Sequence, residues 1–192
     1  MIIYTPQLKC VFLHIPKAAG SSITKTLAKY LGKSREVYRP PKYKFLTANM
    51  LHHILGKSLD QYFVFTVVRN PWDRVVSFYH YKQQIRQPPN DLPLDVTFEQ
   101  WIRSNGHYEL PHQYHQLIDH SGKIHPRIDF MGRLENINND WKEICKGLNI
   151  DIPLIHDKQS KHTHYRDYYT PKIKGIIDNY YDVDIRLLNY DY

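Results

Sequence analysis

Two short apolar runs, each broken by a turn that opens a helix, constrain this chain more than any other feature. Lys9–His14 carries Val11-Phe12-Leu13 between polar flanks, as expected of a buried strand in a parallel sheet. The turn Ile15-Pro16-Lys17-Ala18-Ala19-Gly20 follows, and Ser21–Leu31 then places Ile23, Leu27, Tyr30 and Leu31 on one helical stripe, with Gly32 as its stop. A second helix is predicted from Thr47, burying Met50, Leu51, Ile54 and Leu55 before Gly56 ends it. Tyr62–Val68, YFVFTVV, is aromatic and β-branched throughout and reads as a central strand. It ends at Arg69, after which Asn70 caps a helix with Pro71 at its first position, Asp73 at its third, and Trp72, Val75, Val76 and Tyr79 as its buried stripe. This order of strands and helices implies a right-handed crossover and a parallel sheet that takes ligands at the carboxyl ends of its strands.

Beyond residue 90 the signals are sparser. Phe98–Arg103 and Asn138–Lys146 look helical, Ile128–Met131 reads as a short strand, and Thr170–Tyr181 as a terminal helix. The Pro-containing stretches Arg39–Tyr43 and Gln87–Pro93 are the best loop candidates, and no internal repeat is present. A length of 192 residues suits one domain, 1–192. Hydrophobic residues at 42% and charged residues at 23% exclude a disordered chain. The first residues offer neither a signal-peptide core nor an apolar stretch long enough to span a bilayer, and only Cys10 and Cys145 are present. Those features predict a cytoplasmic protein with no stable membrane insertion and no disulfide framework. The net charge of +7 favours anionic partners without choosing among them, and the 16 tyrosines read equally as sugar-stacking platforms or as core. The basic residues are dispersed and form no recognised nucleic-acid module, so no nucleic-acid partner is expected.

The chemistry concentrates at the two junctions. In HIPKAAGSS, His14–Ser22, a helix start presents unpaired N–H groups and the positive end of a dipole to any docked anion. Gly20 allows close approach, Ser21 and Ser22 add hydroxyls, and Lys17 adds a mobile charge, which together read as a phosphate cradle; the competing reading is an ordinary turn with a surface lysine. It is not the nucleoside-triphosphatase loop GxxxxGK[ST], because Lys17 precedes the only glycine. In VVRNPWDRVVSFYHY, Val67–Tyr81, Arg69 is placed to grip a phosphate bidentately, and Ser77 lies off the apolar stripe with its hydroxyl available to a ligand. Arg74 reads either as a solvated helix charge or as a partner of Asp73, with a structural role preferred. Two anion sites at adjacent strand ends suit a bis-phosphorylated nucleotide.

Together HIPKAAGSS and FTVVRNPWDRVVSFYHY resemble the two nucleotide-binding motifs of the carbohydrate sulfotransferase superfamily, in particular its small bacterial-type branch akin to uronyl 2-O-sulfotransferases. Gly132-Arg133-Leu134-Glu135-Asn136, His164-Tyr165-Arg166-Asp167-Tyr168-Tyr169 and the stretch Asp184–Tyr190 extend the likeness over nearly the whole chain, most weakly across residues 82–125. The resemblance implies an α/β, P-loop-like three-layer sandwich with a central parallel sheet flanked by helices. It implies transfer of a sulfuryl group from 3′-phosphoadenosine 5′-phosphosulfate (PAPS), leaving 3′-phosphoadenosine 5′-phosphate (PAP), to a hydroxyl of an acceptor, a saccharide being the class the resemblance points to, with no metal. By that resemblance Pro16, Lys17, Ala18, Ala19, Gly20, Ser21 and Ser22 bind the cofactor, Lys17 at the bridging oxygen and Gly20, Ser21 and Ser22 at the 5′-phosphate, while Arg69 and Ser77 bind the 3′-phosphate. Lys17 is then catalytic, because charge grows on the departing phosphate oxygen in the transition state.

The acceptor hydroxyl also needs a base. Many members of this branch carry H-x-[ST]-A where this chain has Phe45-Leu46-Thr47-Ala48, and phenylalanine cannot take a proton. His52 and His53 are the nearest substitutes, and both also read as solvent-facing histidines; His14, His112 and His115 are further candidates near the cradle or the acceptor. Lys158, Ser160 and Lys161 form a basic loop, and Arg133 and Glu135 read as structural or cofactor-edge contacts. The substitution at Phe45 keeps a second reading open, a non-catalytic module that binds PAP or anionic glycans. A nucleotide-type kinase is the third, disfavoured by the missing GxxxxGK[ST].

Overall fold

The computed structural model describes residues 2–5, 7–31, 36–38, 47–84, 95–157 and 163–192. Gly32, Phe45, Leu46, the loop candidates 39–43 and 87–93, and Lys158, Ser160 and Lys161 lie outside the described residues. Strands and helices follow in the order β1 (Ile2–Thr5), β2 (Cys10–Leu13), α1 (Gly20–Leu31), β3 (Glu36–Tyr38), α2 (Leu51–Leu55), β4 (Phe63–Val68), α3 (Pro71–Gln84), α4 (Phe98–Arg103), α5 (Tyr114–Leu117), β5 (Phe130–Arg133), α6 (Ile137–Leu148), α7 (Pro171–Tyr180) and α8 (Asp182–Leu187). They fall into two compact units, one of Met1–Val68 with Gln113–Lys158 and one of Arg69–His112 with Gln159–Tyr192.

The first unit is an α/β layer structure around a five-stranded sheet of order β3-β1-β2-β4-β5. β2, β4 and β5 run parallel, with Phe12 opposite Phe65 and Phe65 opposite Phe130. Alternation divides the side chains between two faces. Cys10, Phe12, Phe65 and Val67 meet Ile23 and Leu27 of α1 and Trp141, Ile144, Cys145 and Leu148 of α6. Val11, Leu13 and Val64 meet Ala48, Leu51 and Leu59 around α2 on the other face. The central sheet flanked by helices is therefore as the sequence predicts, with one addition. β1 pairs antiparallel with β2, and β3 antiparallel with β1, so the sheet is mixed towards that edge. A second difference concerns α1: Tyr30, assigned to its buried stripe, is 50% exposed, and only Ile23 and Leu27 of that stripe are fully buried.

The second unit is helical. Asn70 caps α3 as its sequence implies, its Oδ1 accepting the N–H groups of Trp72 (3.0 Å) and Asp73 (3.2 Å). Thr97 and Gln100 complete a reciprocal capping box on α4, and Thr170 caps α7 with Pro171 behind it. Trp72, Val75, Val76 and Tyr79 are buried as predicted, yet the opposite side of α3 is buried too. Arg74 is 1% exposed, so it is not a solvated helix charge. Its Nη2 donates to the Pro111 carbonyl at 2.8 Å, and burial pulls its pKa down while Tyr181 and the fully buried Asp184 pull it back up. The Tyr181 hydroxyl lies 2.8 Å from the Leu110 carbonyl and 3.0 Å from that of His107, and burial raises its pKa.

His107 itself is 1% exposed, packed against Tyr108 and Tyr180, and burial pushes its pKa down to about 4. A histidine whose folded pKa lies below its unfolded value of about 6.5 takes up a proton more readily when the chain unfolds. Its stabilising contribution is complete above that unfolded value and is lost as pH falls towards 4. The melting temperature is expected to drop between pH 7 and pH 5, and the drop should be shallower in His107→Phe; parallel curves would show that His107 does not carry it.

Candidate functional site

The cradle begins where β2 ends. Thr66 of β4, fully buried, donates its hydroxyl to the Leu13 carbonyl at 2.8 Å and fixes the point at which the chain leaves the sheet. Six residues, 14 to 19, then connect β2 to α1, and the short span is met by left-handed backbone at Lys17 (φ 68°) and Ala19 (φ 56°). Left-handed conformations cost a non-glycine residue on the order of 1 kcal/mol or more and persist where the surroundings over-determine them, often at ligand clamps. Left-handed residues alternating with Ala18 are the kind of backbone that gathers N–H groups into an anion-binding nest, here leading directly into the start of α1. Pro16, Lys17 and Ala19 are half-buried, Ala18 and Gly20 are buried, and Ser21 is exposed.

Gly20 is needed for a reason other than approach to a ligand. A Cβ built there would lie 1.8 Å from Nε2 and 2.0 Å from Cδ2 of His14, whose ring stacks on Phe12 at 5.7 Å. His14 thus occupies the space against the first residue of α1. The Ser22 hydroxyl is engaged as well, accepting the Asp157 N–H at 3.0 Å, while Lys25 pairs with the Asp157 carboxylate at 2.5 Å and the Thr26 hydroxyl accepts the Ile155 N–H at 2.9 Å. Residues 155–157 are therefore laid along α1. Ser22 sits 135 residues away from Asp157 in the chain, and no local pattern announces that contact.

Arg69, next after the last residue of β4, is buried and ion-pairs through Nε with Asp73 at 2.9 Å. Asp73, placed by its sequence as a helix-start residue, is thus also the partner that orients Arg69, and Arg69 takes the pairing with Asp73 that was considered for Arg74. Ser77, expected to present its hydroxyl, is 2% exposed. His52 and His53 are exposed on α2. Asn49, before α2, donates to the Ile118 carbonyl at 3.1 Å and brings that helix beside the turn that holds His120 and His125. His125 is buried, its Nδ1 accepting the Arg127 N–H at 3.2 Å, and burial lowers its pKa, Asp119 opposing and His52, Arg127 and His120 reinforcing. The Gly132–Asn136 segment is organised by Asp140, which accepts the Arg133 N–H at 2.6 Å and the Asn136 amide at 2.8 Å. His112 packs against Tyr180 and Tyr181, and His115 is exposed. Among the described residues no group of three or more His, Cys, Asp or Glu side chains could hold a metal ion, and no helix is long and apolar enough to cross a membrane.

Comparison with known proteins decides the family, because the sequence pattern described as "Sulfotransferase family" matches residues 1–191. The chain belongs to the sulfotransferase family. Membership makes it a PAPS-dependent sulfotransferase, an enzyme of the transferase class. An uncharacterized protein of Archaeoglobus fulgidus is 30% identical over 110 residues, 57% of this chain and 87% of that protein. Among solved structures, mouse sulfotransferase SULT7A1 complexed with PAP superposes with a TM-score of 0.58 at 16% identity, covering 91% of this chain and 82% of that one, a likeness of fold.

The packing of His14 on Gly20 gives this sulfotransferase a direct structural test. Alanine within a helix is ordinarily favoured over glycine by roughly 0.5–1 kcal/mol. Gly20→Ala is nevertheless expected to destabilise by about 1–3 kcal/mol in denaturant unfolding, since the His14 ring has to move. His14→Ala should cancel most of that penalty in the double variant. A neutral Gly20→Ala, or additive losses in the double variant, would contradict the contact.

Proposed function

We propose that the chain moves the sulfuryl group of PAPS to a hydroxyl of a saccharide, and that residues 1–192 act as a single sulfotransferase domain. The observation that carries this reading is the left-handed pair Lys17 and Ala19 running into α1, a strained connection of the kind retained for anion binding. In it, the N–H groups of Gly20, Ser21 and Ser22 hold the 5′-phosphate, with Ser22 acting through its backbone because its hydroxyl is bonded to Asp157. Lys17 sits at the bridging oxygen, and Arg69 and Ser77 take the 3′-phosphate.

The acceptor oxygen attacks sulfur in line, the bond between sulfur and the bridging oxygen breaks, and PAP leaves with the electron pair. Lys17 stabilises the charge that develops on that oxygen more strongly in the transition state than in the ground state. The acceptor proton passes to His52 or His53, the exposed imidazoles of α2. A net charge of +7 supports an anionic saccharide such as a uronate-bearing chain. Two free, buried cysteines support a reducing, cytoplasmic setting, and burial pushes the Cys10 thiol up to about 12, out of reach of redox chemistry near neutrality.

Transfer of labelled sulfate from PAPS across a panel of oligosaccharides tests the reading. Lys17→Ala is expected to lower the rate by about 10²-fold or more, the scale of losing one electrostatic stabiliser. PAP at about 100 times its Kd should stabilise the protein by about 2.7 kcal/mol, seen as a raised melting temperature. His52→Ala and His53→Ala separate the two base candidates, since loss of kcat at unchanged PAP affinity marks the base. No melting shift at millimolar PAP would remove the nucleotide from the account. Tight PAP binding without transfer to any acceptor would favour the binding-module reading that Phe45 keeps open.

A further inference from the structure

We infer that Asp191 and Tyr192 are positioning residues for the turn that carries Arg69, and so set how firmly a 3′-phosphate is gripped. This rests on the assignment of Arg69 to that phosphate. Asn70 organises the turn from two sides. While Oδ1 of Asn70 caps the Trp72 and Asp73 N–H groups, its Nδ2 donates to the Asp191 carbonyl at 3.3 Å. The Asp73 carboxylate oriented by that cap is the one that pairs with Arg69. Asp191 therefore holds the turn from outside α3, through Asn70.

Tyr192 holds it a second time, through Trp72. The two rings meet edge to face at 5.3 Å and 84°. The rest of Trp72 is committed too, its Nε1 donating to Asp178 at 2.8 Å and its carbonyl accepting the Tyr169 hydroxyl at 2.9 Å. Around Tyr192 gather Tyr165 at 5.6 Å, Tyr169 at 5.9 Å, Lys174 Nζ at 4.8 Å and the Arg166 guanidinium at 5.3 Å, with Arg166 Nη2 donating to the Tyr192 carbonyl at 2.5 Å. Lys174 also lies 5.4 Å from the Trp72 ring centre and pairs with Asp178 at 2.7 Å. One aromatic ring thus joins two cations and two further rings to the first turn of α3. A guanidinium grips phosphate in a planar, directional way, so a small displacement of the turn costs affinity out of proportion to the stability lost.

The test compares PAP with adenosine 5′-phosphate, which lacks the 3′-phosphate, by titration calorimetry on the full chain. The unaltered protein should prefer PAP. Tyr192→Ala is expected to shrink that preference by about tenfold while leaving affinity for adenosine 5′-phosphate nearly unchanged, and Tyr192→Phe, which keeps the ring, should retain it. A preference that survives in Tyr192→Ala, or equal weakening of both nucleotides, overturns the inference. If the unaltered protein shows no preference for PAP, the assignment of Arg69 itself falls. Should Tyr192→Ala not fold, Arg166→Met, altered at an exposed side chain, is expected to reduce the preference in the same direction, and an unchanged ratio would overturn the inference.

Discussion

The parallel pairing of β2 with β4 is the constraint on which the remaining structure depends. It places Phe12 against Phe65 and Leu13 against Thr66, so that two apolar faces are buried at once and the carboxyl ends of both strands stand at one edge of the sheet. Thr66 then ties the Leu13 carbonyl, and Ile23 and Leu27 tie α1 to the same face as Phe12. With both ends anchored, the six residues between them have little freedom, and left-handed Lys17 and Ala19 are the consequence. Strain of this kind is sustained by packing on either side of it, which is why the connection can hold a fixed shape before any ligand arrives.

Much of this was legible in the sequence. The run Val11-Phe12-Leu13 and the β-branched, aromatic Tyr62–Val68 identified the two strands because buried parallel strands need apolar residues on both faces. Asn70-Pro71 identified the start of α3 because the cap chemistry is local. The antiparallel β1 went unread, since Ile2–Thr5 is four residues long and its pairing with β2 is what defines it as a strand. Tyr30 was placed inside because helical spacing records angle around the axis and not what lies beyond it.

Side-chain partners were the least legible part of the site. Gly20 reads as room for a phosphate, and the structure adds that its missing Cβ leaves space for His14, a contact that requires knowing where β2 hands the chain to α1. Ser22 looked available, but its hydroxyl belongs to a segment 135 residues on. The two arginines of the second motif divide in the same way. Arg74 is closed off among Pro111, Tyr181 and Asp184, where an unpaired charge would be costly, and Arg69 is held in place by Asp73. Spacing along the helix distinguishes neither role; burial and the counter-charge from α8 do.

The central claim is that backbone N–H groups at the start of α1, shaped by the left-handed turn, form the anion cradle of this sulfotransferase. A crystal structure of the protein grown with PAP tests it most directly. The expected result is the 5′-phosphate within hydrogen-bond distance of the N–H groups of Gly20, Ser21 and Ser22, with Lys17 and Ala19 keeping positive φ. A 5′-phosphate bound elsewhere, or a loop that abandons its left-handed residues when PAP binds, would contradict it.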